Sequence, residues 1–402
     1  MKRIFLLLTL MSLLQLSLAQ RTVYHVEPEK LFNQGKEMFL EGNYAGADDL
    51  LTRFTAISDD VRMKEEAAYM QAVASFKRGS EGSSEQLETF LYNHPESVHR
   101  HPLMFLIGSA HYDRKEWEAA RSWLLQADLD YLTLTDQEDY SFRLGYTELQ
   151  LGNLKEASRL FGLLSLNSNR YSDAANFYLG YIDYSNKDYN AALNRFRPLK
   201  EHPEYREEVA FYTAQATFFD GKLDEAVPLA ESFQSQYPRS EHLTEIYRIL
   251  GNSYFRLGQP SRAIPWYERY SSSVARPLRG DAYFLGLSYA ENGKQNEALR
   301  MFQQAVGEAD ALTQNAQLQL GQTYLALNQK QEAQMAFEAA SRNNFDSQVR
   351  ETAMFNYALL AHETNFSVFS ESITLFENFL REFPQSVYTD QVNDILAETF
   401  LT

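Results

Sequence analysis

A chain of 402 residues with 54 acidic against 37 basic side chains, a formal charge of −17 and no cysteine excludes several functions before any motif is read. So acidic a surface repels nucleic-acid phosphates and anionic lipid headgroups, and without a thiol there is neither a disulfide nor a cysteine nucleophile. As one globule the chain would exceed the roughly 250–300 residues at which single cores stop growing; an array of units that each pack only on their neighbours escapes that limit.

Residues 1–19 read as a signal peptide. Lys2 and Arg3 precede an apolar run from Ile4 to Leu14, and Ser17-Leu18-Ala19 places small residues before a cleavage point. The run is shorter than the ~20 residues of a membrane span, and a lipoprotein would need a cysteine after the cleavage point, so the expectation is an exported, periplasmic chain with no lipid anchor and no direct membrane insertion. Without Lys2 and Arg3 the balance is 35 basic to 54 acidic residues, a charge of −19. Residues 20–30, which contain Pro28 and no helical period, read as a linker.

From Leu31 onward a small residue recurs: Gly35, Ala72, Gly108, Gly145, Gly180, Ala214, Gly251, Gly286, Gly321 and Ala358, with gaps of 37, 36, 37, 35, 34, 37, 35, 35 and 37. Twelve residues later stands a second: Ala47, Ala120, Ala157, Ala192, Ala226, Ala263, Ala298 and Ala333. Small residues let two helix backbones approach, and large ones beside them interlock; hence Leu51, Leu124, Phe161, Phe196, Tyr267, Phe302 and Phe337, each four residues past an alanine. Gly42, Gly152, Gly221, Gly258 and Gly293 fall where a turn after the first helix needs positive φ. Pro95, Pro238 and Pro384 close units, because proline cannot extend a helix. Two units depart: Arg78–Ser84 is a longer turn with Ser84 at the alanine position, and Thr364–Glu371 lengthens the tenth turn, with Ser372 in the alanine role. The register runs through the polar stretch Ser165–Ser172, so no domain break is expected. After Pro384, residues 385–402 read as the first helix of a further repeat or a C-terminal cap.

The motif Leu285-Gly286-x-x-Tyr289 … Ala298-x-x-x-Phe302 and its copy Leu320-Gly321-x-x-Tyr324 … Ala333-x-x-x-Phe337, 321 − 286 = 35 residues apart, resembles the tetratricopeptide repeat (TPR). The resemblance implies an all-α, right-handed superhelical solenoid of about ten helix–turn–helix repeats over residues 31–384. It also implies a concave groove lined by the first helix of each unit. Carried onto this sequence, the groove positions are Phe105, Tyr112, Phe142, Tyr146, Phe177, Tyr181, Tyr184, Phe211 and Phe218, an aromatic partner-binding surface. Arg248, Asn252 and Arg256, at i, i+4 and i+8 on one helix face, suggest an anion hook. Exported TPR proteins of Gram-negative bacteria serve envelope assembly, so the resemblance implies a non-enzymatic protein-interaction scaffold of the cell envelope. The alternative is a glycan- or peptidoglycan-binding accessory protein using the same groove.

No catalytic signature accompanies the repeats: His-Glu-x-x-His, the phosphate-binding glycine loops and Gly-x-Ser-x-Gly are all absent. The expectation is therefore no catalytic residue, no cofactor and no metal. His94, His99, His101 and His111 form the densest histidine group, but His-x-His needs matched third and fourth ligands for zinc. Asp128, Asp130, Asp136, Glu138 and Asp139 lack the glycine and terminal glutamate of a calcium loop and read as a solvated charge run. Partner identity and oligomeric state are not written in the sequence.

Overall fold

The computed structural model describes residues 27–166, 168–364 and 371–401; the signal-peptide expectation lies outside them. The chain is all-α, a succession of about ten helix–turn–helix pairs, the arrangement of a TPR-type solenoid. Contacts divide it into two compact parts between Asn176 and Phe177, inside the helix Ser172–Ser185, although the repeat register carries no sign of a break there. In the first part Pro28–Leu40 pairs with Tyr44–Ile57, Val61–Lys77 with Ser83–Asn93, Arg100–Asp113 with Trp117–Leu124, and Leu134–Gln150 with Leu154–Ser165. In the second part Tyr189–Phe196, the partner of Ser172–Ser185, is followed by Arg206–Phe219 with Leu223–Gln236, Leu243–Arg256 with Pro260–Ser273, Arg279–Glu291 with Gln295–Ala305, Ala311–Ala326 with Lys330–Ser341, and Ser347–Thr364 with Glu371–Glu382, before a last helix, Thr389–Leu401. The first helix begins at Pro28, inside the stretch read as a linker to Lys30, because proline suits the first turn of a helix, where its missing N–H has no partner to lose.

The small and large residues pack as their spacing implies. All eight alanines of the second series are fully buried, and so are the seven large residues four positions on. The reason for glycine on the first helix is visible in Gly321: a Cβ there would lie 2.5 Å from Cε1 of Phe337. The same collision recurs between Gly286 and Phe302 at 2.7 Å and between Gly251 and Tyr267 at 2.7 Å. Where the residue is Ala214, the side chain sixteen positions on is Ala230, also fully buried. In the second repeat the alanine role falls to Ser83, buried at 8% exposure, and not to Ser84, with Leu87 four residues later fully buried. The turn there uses two left-handed glycines, Gly79 and Gly82, which shift the helix start by one residue. In the tenth repeat Ser372 is buried as expected and Phe376 fills the large position.

The turn between paired helices needs one left-handed residue, supplied by Gly42, Gly152, Gly221, Gly258 and Gly293 at φ 69–80°. At the equivalent points of other repeats stand Lys115 (φ 61°), Lys187 (φ 65°) and Asn328 (φ 58°). A lysine in that region carries the steric cost of its Cβ, roughly 1–2 kcal/mol, offset in part by the greater unfolded-state freedom of glycine. Lys115→Gly and Lys187→Gly are each expected to raise stability by about 0.5–1 kcal/mol, read as an increase in the urea midpoint with an unchanged slope.

Arg279 clamps the loop before the helix Ala311–Ala326. It donates to both carboxylate oxygens of Asp310, to the Ala305 carbonyl and to the Thr313 hydroxyl, while Asp310 caps the helix by accepting from the Thr313 amide. The hydrogen bonds from Arg279, then that amide, hold the Asp310 carboxyl well below the usual carboxylate range. A depressed carboxylate stabilises the fold above its unfolded pKa of about 4 and loses that contribution as pH falls towards the folded value. The melting-temperature gap between wild type and Arg279→Gln is therefore expected to be constant from about pH 5 to 7 and to narrow below about pH 4.

Candidate functional site

The nine aromatic positions do not form one lining. Phe105, Phe177, Phe211 and Phe218 are buried at 5–8% exposure, which removes them from the reachable surface. Three of these, with Phe142, occupy the position three residues before the small residue. At Phe142, Phe177 and Phe211 that position is covered by the residue that opens the next first helix, whereas Phe105 meets Tyr140 at 6.5 Å. Tyr171 stacks on Phe142 at 4.4 Å, Tyr205 on Phe177 at 5.0 Å and His242 on Phe211 at 4.0 Å. The same stack joins His99 to Tyr69 at 3.6 Å and Tyr388 to Phe355 at 4.1 Å. Sequence reasoning missed this device, though its signal is present: Pro-x-Ser-x-His/Tyr recurs at Pro95–His99, Pro238–His242 and Pro384–Tyr388. In each, the serine Oγ accepts from the backbone amide of the stacking residue, which fixes the ring at the helix entry.

The half-buried rings fall into two groups, one in each part. In the first part Tyr112, Trp117 and Tyr146 meet edge to face with centroids 5.7–5.8 Å apart. The Arg143 guanidinium lies 4.9 Å over Tyr112 and is held by Asp113 at 2.6 Å. In the second part Tyr184 lies 5.3 Å from Tyr212, 5.9 Å from Tyr189 and 6.4 Å from Phe219, and Tyr181 lies 5.6 Å from Tyr212. Phe219 is 43% exposed. Among the described residues the hydroxyls of Tyr112, Tyr181, Tyr184, Tyr189 and Tyr212 make no hydrogen bond, so they face outward as available donors. Burial pushes Tyr112 and Tyr212 up to about 12 and Tyr184 higher still, which keeps these three protonated at any physiological pH. Tyr189, Tyr212 and Phe219 were not among the sequence candidates. The signal for Tyr189 is an aromatic five residues past another across the turn, as in Phe39/Tyr44, Tyr112/Trp117 and Tyr184/Tyr189.

The anion hook does not assemble. The Arg248 guanidinium donates twice to Glu245, at 2.8 and 2.5 Å. Asn252 is buried, donating to the Arg248 carbonyl and to Asp281 Oδ1 and accepting from the Tyr267 hydroxyl. Only Arg256 is exposed, 5.8 Å over the Phe218 ring. Only the middle position is covered by the next repeat, through Asp281, while Arg248 is spent on its own helix's Glu245.

The histidines have separate partners. His99 Nε2 pairs with Glu66 at 2.6 Å, His111 with Glu116 at 2.6 Å and His94 with Glu65 at 3.8 Å, while His101 Nδ1 accepts from the Asp128 amide. Among the described residues the one group of ligating type within mutual reach is Glu208, Glu241 and His242. Its His242–Glu208 contact, 2.9 Å, copies the His99–Glu66 pair beside the equivalent stack, where Val98 stands in place of Glu241. The pair therefore belongs to the connection between repeats. The acidic run is spent on caps and pairs: Asp128 caps the Asp130 amide, Thr133 caps Asp136, and Asp139 accepts from Arg170 and Tyr171.

Residues 315–346 match the tetratricopeptide repeat family model, the pair in which Gly321 meets Phe337. No curated protein matches the chain. Among solved structures, a tetratricopeptide repeat protein from Parabacteroides merdae is 18% identical, covering 64% of this chain and 98% of its own, with a TM-score of 0.39. The C-terminal part of a TPR repeat-containing protein from Cytophaga hutchinsonii is 16% identical over 60% of this chain and 94% of its own, TM-score 0.42. YrrB, described as a TPR protein with an unusual peptide-binding site, is 18% identical over 48% of this chain and 97% of its own, TM-score 0.42.

Proposed function

We infer that this chain, built on a fold whose members generally act as non-catalytic scaffolds, holds another protein; no described helix is long and apolar enough to cross a membrane. We propose that this protein is an exported scaffold of the bacterial cell envelope that holds a segment of a partner protein against the tyrosine cluster Tyr181–Tyr184–Tyr189–Tyr212. The observation that carries the reading is the set of half-buried rings whose hydroxyls make no hydrogen bond among the described residues. Tyrosines of this kind give a partner large contact area at small entropic cost, together with donors for its carbonyls, and such rings dominate binding hot spots. The proposed export rests on the basic, apolar and small-residue order of residues 1–19. The negative charge favours a neutral or basic partner.

In-cell crosslinking from a photoreactive residue at Tyr181, repeated in a Tyr184→Ala/Tyr212→Ala background, tests this. One dominant protein adduct is expected, reduced roughly tenfold or more by the double substitution. Adducts unchanged by that substitution would sink the reading. Retention on peptidoglycan that the double substitution abolishes would place cell-wall glycan on the rings in the protein's stead.

A further inference from the structure

A cleft of about 450 Å³ opens in the second part among three of its helices. Its floor is the first helix Arg206–Phe219, through Val209, Ala210 and Thr213. One wall is the helix Tyr189–Phe196 with the 3-10 turn Arg197–Leu199 that follows it, and the other is Leu223–Gln236. Leu193, Phe196, Leu229 and Phe233 make the trough apolar. Around the rim stand Arg197, Lys200 and Arg206, all exposed and, among the described residues, none in an ion pair. Glu201 and Glu225 share that rim, so three cations against two carboxylates leave one net positive charge.

The repeat supplies its own comparison. A cleft at the same place in the frame occurs in the first part, lined by Glu85, Glu88, Leu91, Arg100, Met104 and Trp123 among others. There Met104 stands where Ala210 does and Trp123 where Leu229 does, so larger side chains occupy the trough. With the second repeat's one-residue shift, Glu88 replaces Arg197 and Leu91 replaces Lys200. Arg100, in the place of Arg206, donates to the Pro95 carbonyl. The second part's cleft, smaller at about 450 Å³ against about 580 Å³, thus has shorter side chains at these two trough positions and a reversed rim charge, within a chain of net charge −17.

We propose that this cleft binds an amphipathic carboxylate, a linear acyl chain lying in the trough with its single carboxylate at the Arg197–Lys200–Arg206 rim. The volume is that of a small-ligand site, and the rim charge matches one anion. An acyl chain suits these walls better than an extended peptide does. Helical amides are already bonded along their helices, the Thr217 hydroxyl donates to the Thr213 carbonyl and the Gln236 amide to Ser232 Oγ. A peptide backbone would lose its own water partners and gain few in return, whereas an acyl chain has none to lose.

Isothermal titration of the whole protein with decanoate tests the assignment, with 1-decanol as the uncharged comparison. One saturable site is expected. Affinity should fall roughly tenfold or more in Arg197→Gln/Lys200→Gln, and by a similar factor in Ala210→Met, which fills the trough without touching the charge. Both variants alter half-exposed or exposed positions, and circular dichroism verifies that they fold. Weaker binding as NaCl rises from about 50 to about 500 mM supports the ionic rim. No saturable heat up to about 1 mM decanoate, decanol bound as tightly as decanoate, or both variants binding like wild type would each overturn it.

Discussion

Replacing Phe337 with alanine is expected to cost about 3–5 kcal/mol, and the same substitution makes a second change reverse its sign. Phe337 is fully buried, and its ring occupies the space a side chain at position 321 would need. In the wild-type background Gly321→Ala gains about 1 kcal/mol of helix propensity. It also pushes a Cβ to 2.5–2.8 Å from three ring carbons, and overpacking of that kind costs about 1–3 kcal/mol. The net is a loss. In the Phe337→Ala background the ring is gone, only propensity remains, and Gly321→Ala should stabilise. The chain already holds this solution where Ala214 stands sixteen residues before Ala230. Because each repeat packs on its neighbours alone, the damage should be local. Native-state hydrogen exchange should show lost protection in Ala311–Ala326 and Lys330–Ser341 before helices several repeats away. Equal effects of Gly321→Ala in both backgrounds would mean that the close approach does not explain the glycine.

How far the sequence carried the reading follows from which forces act within one repeat and which act between repeats. The alanine and large-residue series marks packing inside a helix pair, whose partners stand at fixed separations, 337 − 321 = 16 in the matched repeat; it was legible to the residue except in the second repeat, where Ser83 takes the place read at Ser84. The left-handed turn was legible where glycine fills it and hidden at Lys115 and Lys187, since nothing in a lysine's identity announces positive φ; Asn328 carried a weaker signal, because asparagine tolerates that region. The candidate surface was half legible. Tyr112, Tyr146, Tyr181 and Tyr184 lie on half-exposed faces, but Phe177 and Phe211 lie under Tyr205 and His242, more than 25 residues further along. Covering by the next repeat depends on which residue opens the following helix, and one helix face read alone does not contain that. The hook failed for the same reason: the partner that turns Asn252 inward is Asp281, in the next first helix. The cleft at Arg197 was invisible because short side chains such as Ala210 look like any other helix filler until the walls around them are placed.

Asn252→Leu is expected to lower stability by about 2–4 kcal/mol, although the new side chain is of similar size and more apolar. Asn252 ties three buried groups together. Its Nδ2 donates to the Arg248 carbonyl at 2.9 Å and to Asp281 Oδ1 at 3.0 Å, and its Oδ1 accepts from the Tyr267 hydroxyl at 3.2 Å. Asp281 is 6% exposed, and its Oδ2 makes no hydrogen bond within ordinary distance among the described residues; Asn252 donates to its Oδ1, with the Tyr270 hydroxyl and the Arg248 charge nearby. Burial, then the nearby Asp281 charge, pushes the Tyr267 phenol well above its ordinary range, which leaves it a donor that must find an acceptor. Leucine takes the amide donor from a buried carboxylate and the acceptor from a buried hydroxyl at once, and the desolvation of these two polar groups outweighs the apolar area gained. Removing the carboxylate as well tests this accounting. Asn252→Leu/Asp281→Ala should be more stable than Asn252→Leu alone, because the carboxylate that lost its amide donor is gone, even though each single substitution destabilises. Urea midpoints of the four proteins close the cycle. A double variant no more stable than Asn252→Leu would show that the asparagine acts by shape rather than by satisfying Asp281.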